Sequence, residues 1–145
     1  MTSQERYAVR LLSADDAPAA ARAWNDLADG TLAPETVTRL EAVLAASDSE
    51  DFAAFAAEKN GDLCGLATAR VTESALYGRR GEIEALMIDG RLPDEAGAAL
   101  AQHAIEWLRA RGVASITHMR DRHAPGAFWE RLGFRADLLR YTLSG

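Results

Sequence analysis

The sequence predicts a mixed α/β sheet flanked by helices. Three observations carry that prediction. Apolar residues switch between a helical period and a strand period along the chain. The stretch from Glu82 to Phe134 runs strand, loop, helix, strand, helix, strand. Upstream, Asn60-Gly61 tolerates positive φ and sits between two strand-like runs, which marks a tight hairpin. At 145 residues the chain suits a single domain, 1–145, able to bury a core without disulfide or metal staples.

Tyr7 to Leu12 alternates and reads as an opening strand. Ser13 and Asp15 are candidate N-caps for a helix through Ala17 to Leu27 that stops near Gly30. Pro34 suits the first turn of a second helix, in which Val37, Leu40, Val43 and Leu44 form one apolar stripe. Phe52 to Glu58 and Leu63 to Thr72 are the hairpin strands, and Glu82 to Ile88 is the next strand after a loop at Tyr77-Gly78. Leu100, Ala101, Ala104, Ile105 and Leu108 recur at helical spacing and end at Arg111-Gly112, a basic last turn with a glycine beyond it. Val113 to Met119 follows as a strand. Pro125 opens a short helix through Arg131 that Gly133 closes, and Leu138 to Leu143 is the last strand. The unit from Glu82 to Met119 forms a strand-helix-strand crossover, so its two strands should be parallel.

Composition narrows the function classes. The apolar and charged fractions, 48% and 26%, are those of an ordinary soluble protein. No run is long and apolar enough to cross a bilayer, and the first residues lack a secretory core, so no membrane partner is expected. A net charge of −6 disfavours sequence-independent nucleic-acid binding and mildly favours cationic partners such as amines. The single cysteine, Cys64, can form no disulfide within the chain, and a reducing cytoplasm is its simplest home. Neither histidine near the predicted cleft has a Cys or carboxylate at metal-ligand spacing, so no metal is expected.

Three pieces, taken in order, resemble the GCN5-related N-acetyltransferases (GNAT). Gly81-Glu82-Ile83-Glu84-Ala85-Leu86-Met87-Ile88-Asp89 looks like that family's central strand. The helix ending Glu106-Trp107-Leu108-Arg109-Ala110-Arg111-Gly112 fits the helix that follows it. Ala127-Phe128-Trp129-Glu130-Arg131-Leu132-Gly133-Phe134 is similar to the family's A-x-x-F-Y-x-x-x-G-F run. The resemblance covers nearly the whole chain. It implies the GNAT fold and transfer of an acetyl group from acetyl-CoA to an amine, either a small molecule or a peptide. It is also compatible with a homodimer.

That chemistry sets the tasks. An attacking amine must lose a proton, which needs a base or a water chain. The thioester oxygen needs a backbone N–H, and a pyrophosphate suits the N-terminus of a helix. Glu82 and Glu84, two apart on a strand, project from one face and are the candidate bases; Glu82 sits where the family often has a strand carboxylate. By resemblance, the backbone of Leu86, Met87 and Ile88 would hold the acetyl and pantetheine groups. The family's R/Q-x-x-G-x-G/A loop can be aligned in two ways. One puts Gly97 at the last small position, Glu95 at the first glycine and Leu92 at the basic residue. The other puts Ala96, Asp94 and Arg91 there. Either way Ala96, Gly97 and Ala98 open the helix that would meet the pyrophosphate, and a carboxylate replaces a glycine. Asp94 after Pro93 also reads as an N-cap that would consume the free amides. Arg79, Arg80, Arg91 and Arg122 are candidates to offset the acids.

Phe128 and Trp129 would border the cofactor cleft. Trp129 stands where many relatives place a tyrosine able to protonate the leaving thiolate, and an indole N–H is no acid for that task. Arg122 and Asp121 stand where an asparagine often precedes this helix. His118 and His123 are candidates for base or substrate contact, or are simply hydrogen-bonded in the fold. Tyr77 and Tyr141 offer replacement hydroxyls or ordinary packing. Cys64 reads as a small buried apolar residue. Trp24, Asp26 and Glu35 lie where the family borders its acceptor. The loop acids and Trp129 support a second reading, a non-catalytic binding or regulatory module that has lost acetyl-CoA.

Overall fold

In a computed structural model, residues 7–119, 126–137 and 141–144 are described. The order is β1 (Tyr7–Leu11), a 3-10 turn (Ala14–Asp16), α1 (Ala17–Leu27), α2 (Pro34–Leu44), β2 (Phe52–Lys59), β3 (Asp62–Ser74), β4 (Gly78–Ile88), α3 (Asp94–Arg109), β5 (Ser115–Thr117) and α4 (Ala127–Arg131). The sheet runs β1-β2-β3-β4-β5, antiparallel except for the parallel β4–β5 pair. The predicted parallel crossover is therefore present. β4 begins four residues before the predicted Glu82, since Gly78 to Gly81 already pair with Val71 to Ser74. β5 is shorter than the predicted Val113–Met119.

β2 shows why the sheet lies in the middle. Phe52 to Ala57 are all buried, which requires cover on both faces. Ala53, Phe55 and Ala57 join Ala67, Ala69, Val71, Ile83 and the apolar stripe of α3. Ala54, Ala56 and Leu66 pack instead with Leu12, Leu44 and the alanines of α1. Small alanines on both faces let the helices come close, and two glycines let α3 come closer still. A Cβ on Gly65 would stand 2.9 Å from Leu100 Cδ1, and one on Gly81 would stand 2.9 Å from Leu108 Cδ2.

Two helix starts differ from expectation. Ser13 is followed by the 3-10 turn, and Asp16 precedes α1, so neither Ser13 nor Asp15 caps that helix. Pro93 occupies the N-cap of α3, and Asp94 is its first residue; among the described residues no side chain caps that end. The last predicted strand is absent from residues 141–144, where no strand forms, while 138–140 lie outside the described residues. Pro125 also lies outside them, and α4 starts from Gly126.

The β1–α1 junction is held by charge. Arg10 donates to both Asp16 oxygens at 2.9 and 3.0 Å and to Glu58 at 2.8 Å, and the Ser13 N–H donates to Asp16 at 2.8 Å. Arg10, then Ser13, hold the Asp16 carboxyl down to about 2 from its ordinary 3.8. Because the folded value lies below the unfolded one, this contribution is complete above the unfolded value and is lost as pH falls through about 2. Asp16→Asn should cost about 1 kcal/mol at neutral pH, an exposed charge-assisted contact being modest. In urea unfolding, the gap between wild type and variant should close between pH 3.8 and about 2; a gap independent of pH would refute the assignment.

Candidate active site

The site is built where β4 changes course. Thr68 pairs with Ala85 and Ala69 with Ile83, so Glu84 is an extra residue, a β-bulge in β4. The bulge reverses the alternation of side chains. Before it, Gly81 and Ile83 face α3; after it, Leu86 and Ile88 do. β5 pairs with β4 only from Arg80↔Ser115 to Glu82↔Thr117. Among the described residues the β4 edge beyond Glu82 has no β5 partner, and Leu86, Met87 and Ile88 lie along that open edge. His118 closes the divergence at its root, its Nδ1 standing 2.8 Å from the Ile83 carbonyl oxygen.

Glu82 and Glu84 reach the same neighbourhood by different routes. Arg70 lies in register opposite Glu82 on β3, so their side chains share a face. The Arg70 Nε donates to Glu84 at 3.1 Å while its guanidinium lies 4.7 Å from the centre of the Phe52 ring. This face is the one turned toward α1 and α2. Trp24 packs into the α1–α2 cluster, whereas Asp26 and Glu35 are exposed helix residues.

The loop from β4 to α3 is held by Asp89. Its N–H donates to the Cys64 carbonyl at 2.9 Å, and its carboxylate accepts from the Arg91 N–H at 2.9 Å, Nε at 3.0 Å and Nη2 at 2.6 Å. These Arg91 contacts hold the Asp89 carboxyl down to about 2. Arg91 is thus paired within its own loop, its side chain 90% exposed. Arg79 donates to the Arg111 carbonyl at 2.7 Å, at the far end of α3, about 24 Å from the loop along a 16-residue helix. The Arg80 guanidinium lies over the Tyr77 ring at 5.2 Å. Neither arginine reaches the loop acids. Arg122, Asp121 and His123 lie outside the described residues.

At the start of α3 the Ala96 N–H donates to the Pro93 carbonyl at 3.0 Å, and the Asp94 and Glu95 amides have no partner among the described residues. Gly97 and Ala98 stand within the helical ladder. They shape the site by size: a Cβ on Gly97 would come 3.3 Å from Phe128, and Ala98 lines a cavity. That cavity, about 190 Å³, lies between α3 and α4 and is lined by Asp94, Glu95, Ala98, Phe128, Arg131 and Leu132. Arg131 donates to Asp94 at 3.2 Å across it. Sequence reasoning missed Arg131, although Phe128, Arg131 and Leu132 at i, i+3 and i+4 share one helix face.

Trp129 packs. Its ring stacks on His118 at 3.9 Å with an interplanar angle of 21°, and meets Phe128 and Phe134 edge-on. Tyr77 and Tyr141 are exposed. Cys64 is half-buried rather than fully buried; its Sγ donates to the Ala57 carbonyl at 3.3 Å, and burial raises its thiol above the ordinary value.

A bulged central strand thus diverges from its parallel neighbour beside the start of a long helix, the arrangement of an acetyltransferase fold. The chain belongs to the acetyltransferase (GNAT) family, whose model matches residues 19–134. No curated protein sequence matches it. Among solved structures it is similar to a transcriptional regulator from Bacillus halodurans C-125, at TM-score 0.78 and 20% identity, over 97% of this chain and 100% of that one. It is also similar to glucosamine-6-phosphate N-acetyltransferase from Arabidopsis thaliana, at TM-score 0.76 and 15% identity over 97% and 99%. A third likeness is to ribosomal-protein-alanine N-acetyltransferase from Brucella melitensis biovar Abortus 2308, at TM-score 0.74 and 17% identity over 97% and 100%. At such identities these likenesses show the fold.

The contact between Gly97 and Phe128 is open to test. Gly97→Val should cost about 1–3 kcal/mol by overpacking against Phe128. Urea unfolding measures it, and an unchanged midpoint would mean that α4 does not rest on Gly97.

Proposed function

We propose that the protein transfers an acetyl group from acetyl-CoA to an amine by direct attack. The observation that carries this is the open β4 edge, which leaves β5 at Glu82, bulges at Glu84 and ends beside the uncapped start of α3. An extended pantetheine arm suits such an edge, since Leu86, Met87 and Ile88 can offer it backbone donors and acceptors without breaking a ladder. A backbone N–H of this stretch would hold the thioester oxygen. Glu82 or Glu84 would take the proton of the amine, directly or through water. The amine nitrogen then bonds to the acetyl carbon, the carbon–sulfur bond breaks with its electron pair going to sulfur, and the CoA thiolate takes a proton from solvent to leave as its thiol. Trp129 has no part in that protonation, its ring being committed to His118.

The face that carries Glu82, Glu84 and Arg70 toward α1 and α2 is the natural acceptor side, and the chain's net charge of −6 suits a cationic amine. The acceptor class is a small-molecule or peptide amine, the location the cytoplasm, and a homodimer is compatible with the family.

The second reading is a binding or regulatory module without acetyl-CoA. Asp94 and Glu95, both exposed at the first turn of α3, favour it, because each would repel a phosphate about 4 Å away by about 1 kcal/mol in water. Thermal melting separates the two. Acetyl-CoA at a hundredfold excess over its dissociation constant adds about 2.7 kcal/mol, a rise of roughly 5–10 °C for a chain of this size. No shift would give the second reading first place.

Turnover tests the base. With an accepted amine, Glu82→Gln combined with Glu84→Gln should lower the rate of CoA thiol release by roughly 10²–10⁴-fold. An unchanged rate would remove both carboxylates from the mechanism.

A further inference from the structure

We propose that, among the described residues, Arg131 on α4 is the cation that holds the CoA pyrophosphate, giving up its ion pair with Asp94 to do so. The proposal rests on the acetyl-CoA reading above and assigns a phosphate-binding side chain to that site.

Three other described arginines make their contacts elsewhere. Arg91, the arginine of the β4–α3 loop, is bound to Asp89 by its backbone N–H and two guanidinium nitrogens, and although its side chain is 90% exposed it does not line the cavity. Arg79 caps the opposite end of α3, and Arg80 lies over Tyr77. Arg131 differs from all three because it lines the cavity between α3 and α4. It reaches the first turn of α3, where the Asp94 and Glu95 amides have no partner among the described residues. A phosphate seated on those amides would lie beside the guanidinium.

Its present contact is weak enough to exchange. Arg131 makes one hydrogen bond to Asp94 at 3.2 Å, and the two side chains are 60% and 82% exposed. Ion pairs this exposed contribute little, whereas a guanidinium meets a phosphate with two parallel N–H bonds and a stronger charge match. Asp94 therefore holds Arg131 over the cavity in the free protein and competes with the ligand for it. This accounts for a carboxylate at the mouth of an anion site: it positions the cation as well as repelling the phosphate.

Calorimetric titration tests the proposal with three probes: CoA, 3′-dephospho-CoA and pantetheine, which lacks the pyrophosphate. Arg131→Ala should weaken CoA and dephospho-CoA alike by about tenfold, the scale of one lost charge-assisted contact, and leave pantetheine unchanged. Arg131→Lys should restore part of the loss, since an ammonium keeps the charge and loses the fork. Asp94→Asn should tighten both nucleotides several-fold. The proposal is overturned if Arg131→Ala binds CoA as the wild type does, or weakens pantetheine equally. A loss confined to CoA would move the contact to the 3′-phosphate and equally overturn it. Wild type that binds none of the three probes defeats the acetyl-CoA reading, and Arg131 with it; wild type that binds CoA as tightly as Arg131→Ala defeats the Arg131 assignment alone.

Discussion

Everything at the site depends on how closely α3 lies on the sheet. Leu100 and Leu108 press onto Gly65 and Gly81, where a methyl group would already be too close. That contact fixes the height of the helix over β3 and β4, and hence where its first turn emerges. Burial of Ala96, Leu100, Ala101, Ala104 and Leu108 locks the rotation of the helix about its axis. The N-terminus of α3 is then held at the end of the sheet where β4 and β5 part. Gly97 extends the same logic to α4, since the missing side chain gives Phe128 its seat.

The second element is the bulge at Glu84. Without it, a regular strand would keep Gly81, Ile83, Ala85 and Met87 on the α3 face, and Leu86 and Ile88 would turn away from the core they partly fill. The extra residue returns Leu86 and Ile88 to that core and sets Glu84 against Arg70 on the other face. It also coincides with the loss of β5 pairing after Glu82, so one local irregularity serves both the backbone edge and the carboxylates. Electrostatics at the phosphate end are more finely divided. Asp94 and Glu95 oppose an anion, the Asp94 and Glu95 amides, without partners among the described residues, favour it, and Arg131 is held by one of those acids.

Much of the fold was legible because it follows from periodicity. The stripe of α3, the Asn60-Gly61 hairpin and the Pro34 start of α2 each have a local cause, and the structure has all three. Boundaries set by pairing were less legible: the Gly78–Gly81 extension of β4 exists because Val71 to Ser74 lie alongside, and nothing local marks it. The Glu84 bulge is likewise a property of two strands together. The Phe128–Phe134 run marked the helix that packs beside Gly97, yet Asp94 reads as a cap only until Pro93 is seen to hold that position. Arg131 escaped notice because its importance comes from Asp94, thirty-seven residues away in sequence.

The central claim is that the open β4 edge and the start of α3 hold acetyl-CoA. Amide hydrogen exchange with and without saturating acetyl-CoA tests it most directly, since it reports where the ligand lies rather than only whether it binds. Slowed exchange is predicted in peptides covering Glu84 to Ala98 and Phe128 to Leu132, with β1 and β2 unaffected. Protection confined to α1 and α2, or none anywhere, would contradict the account.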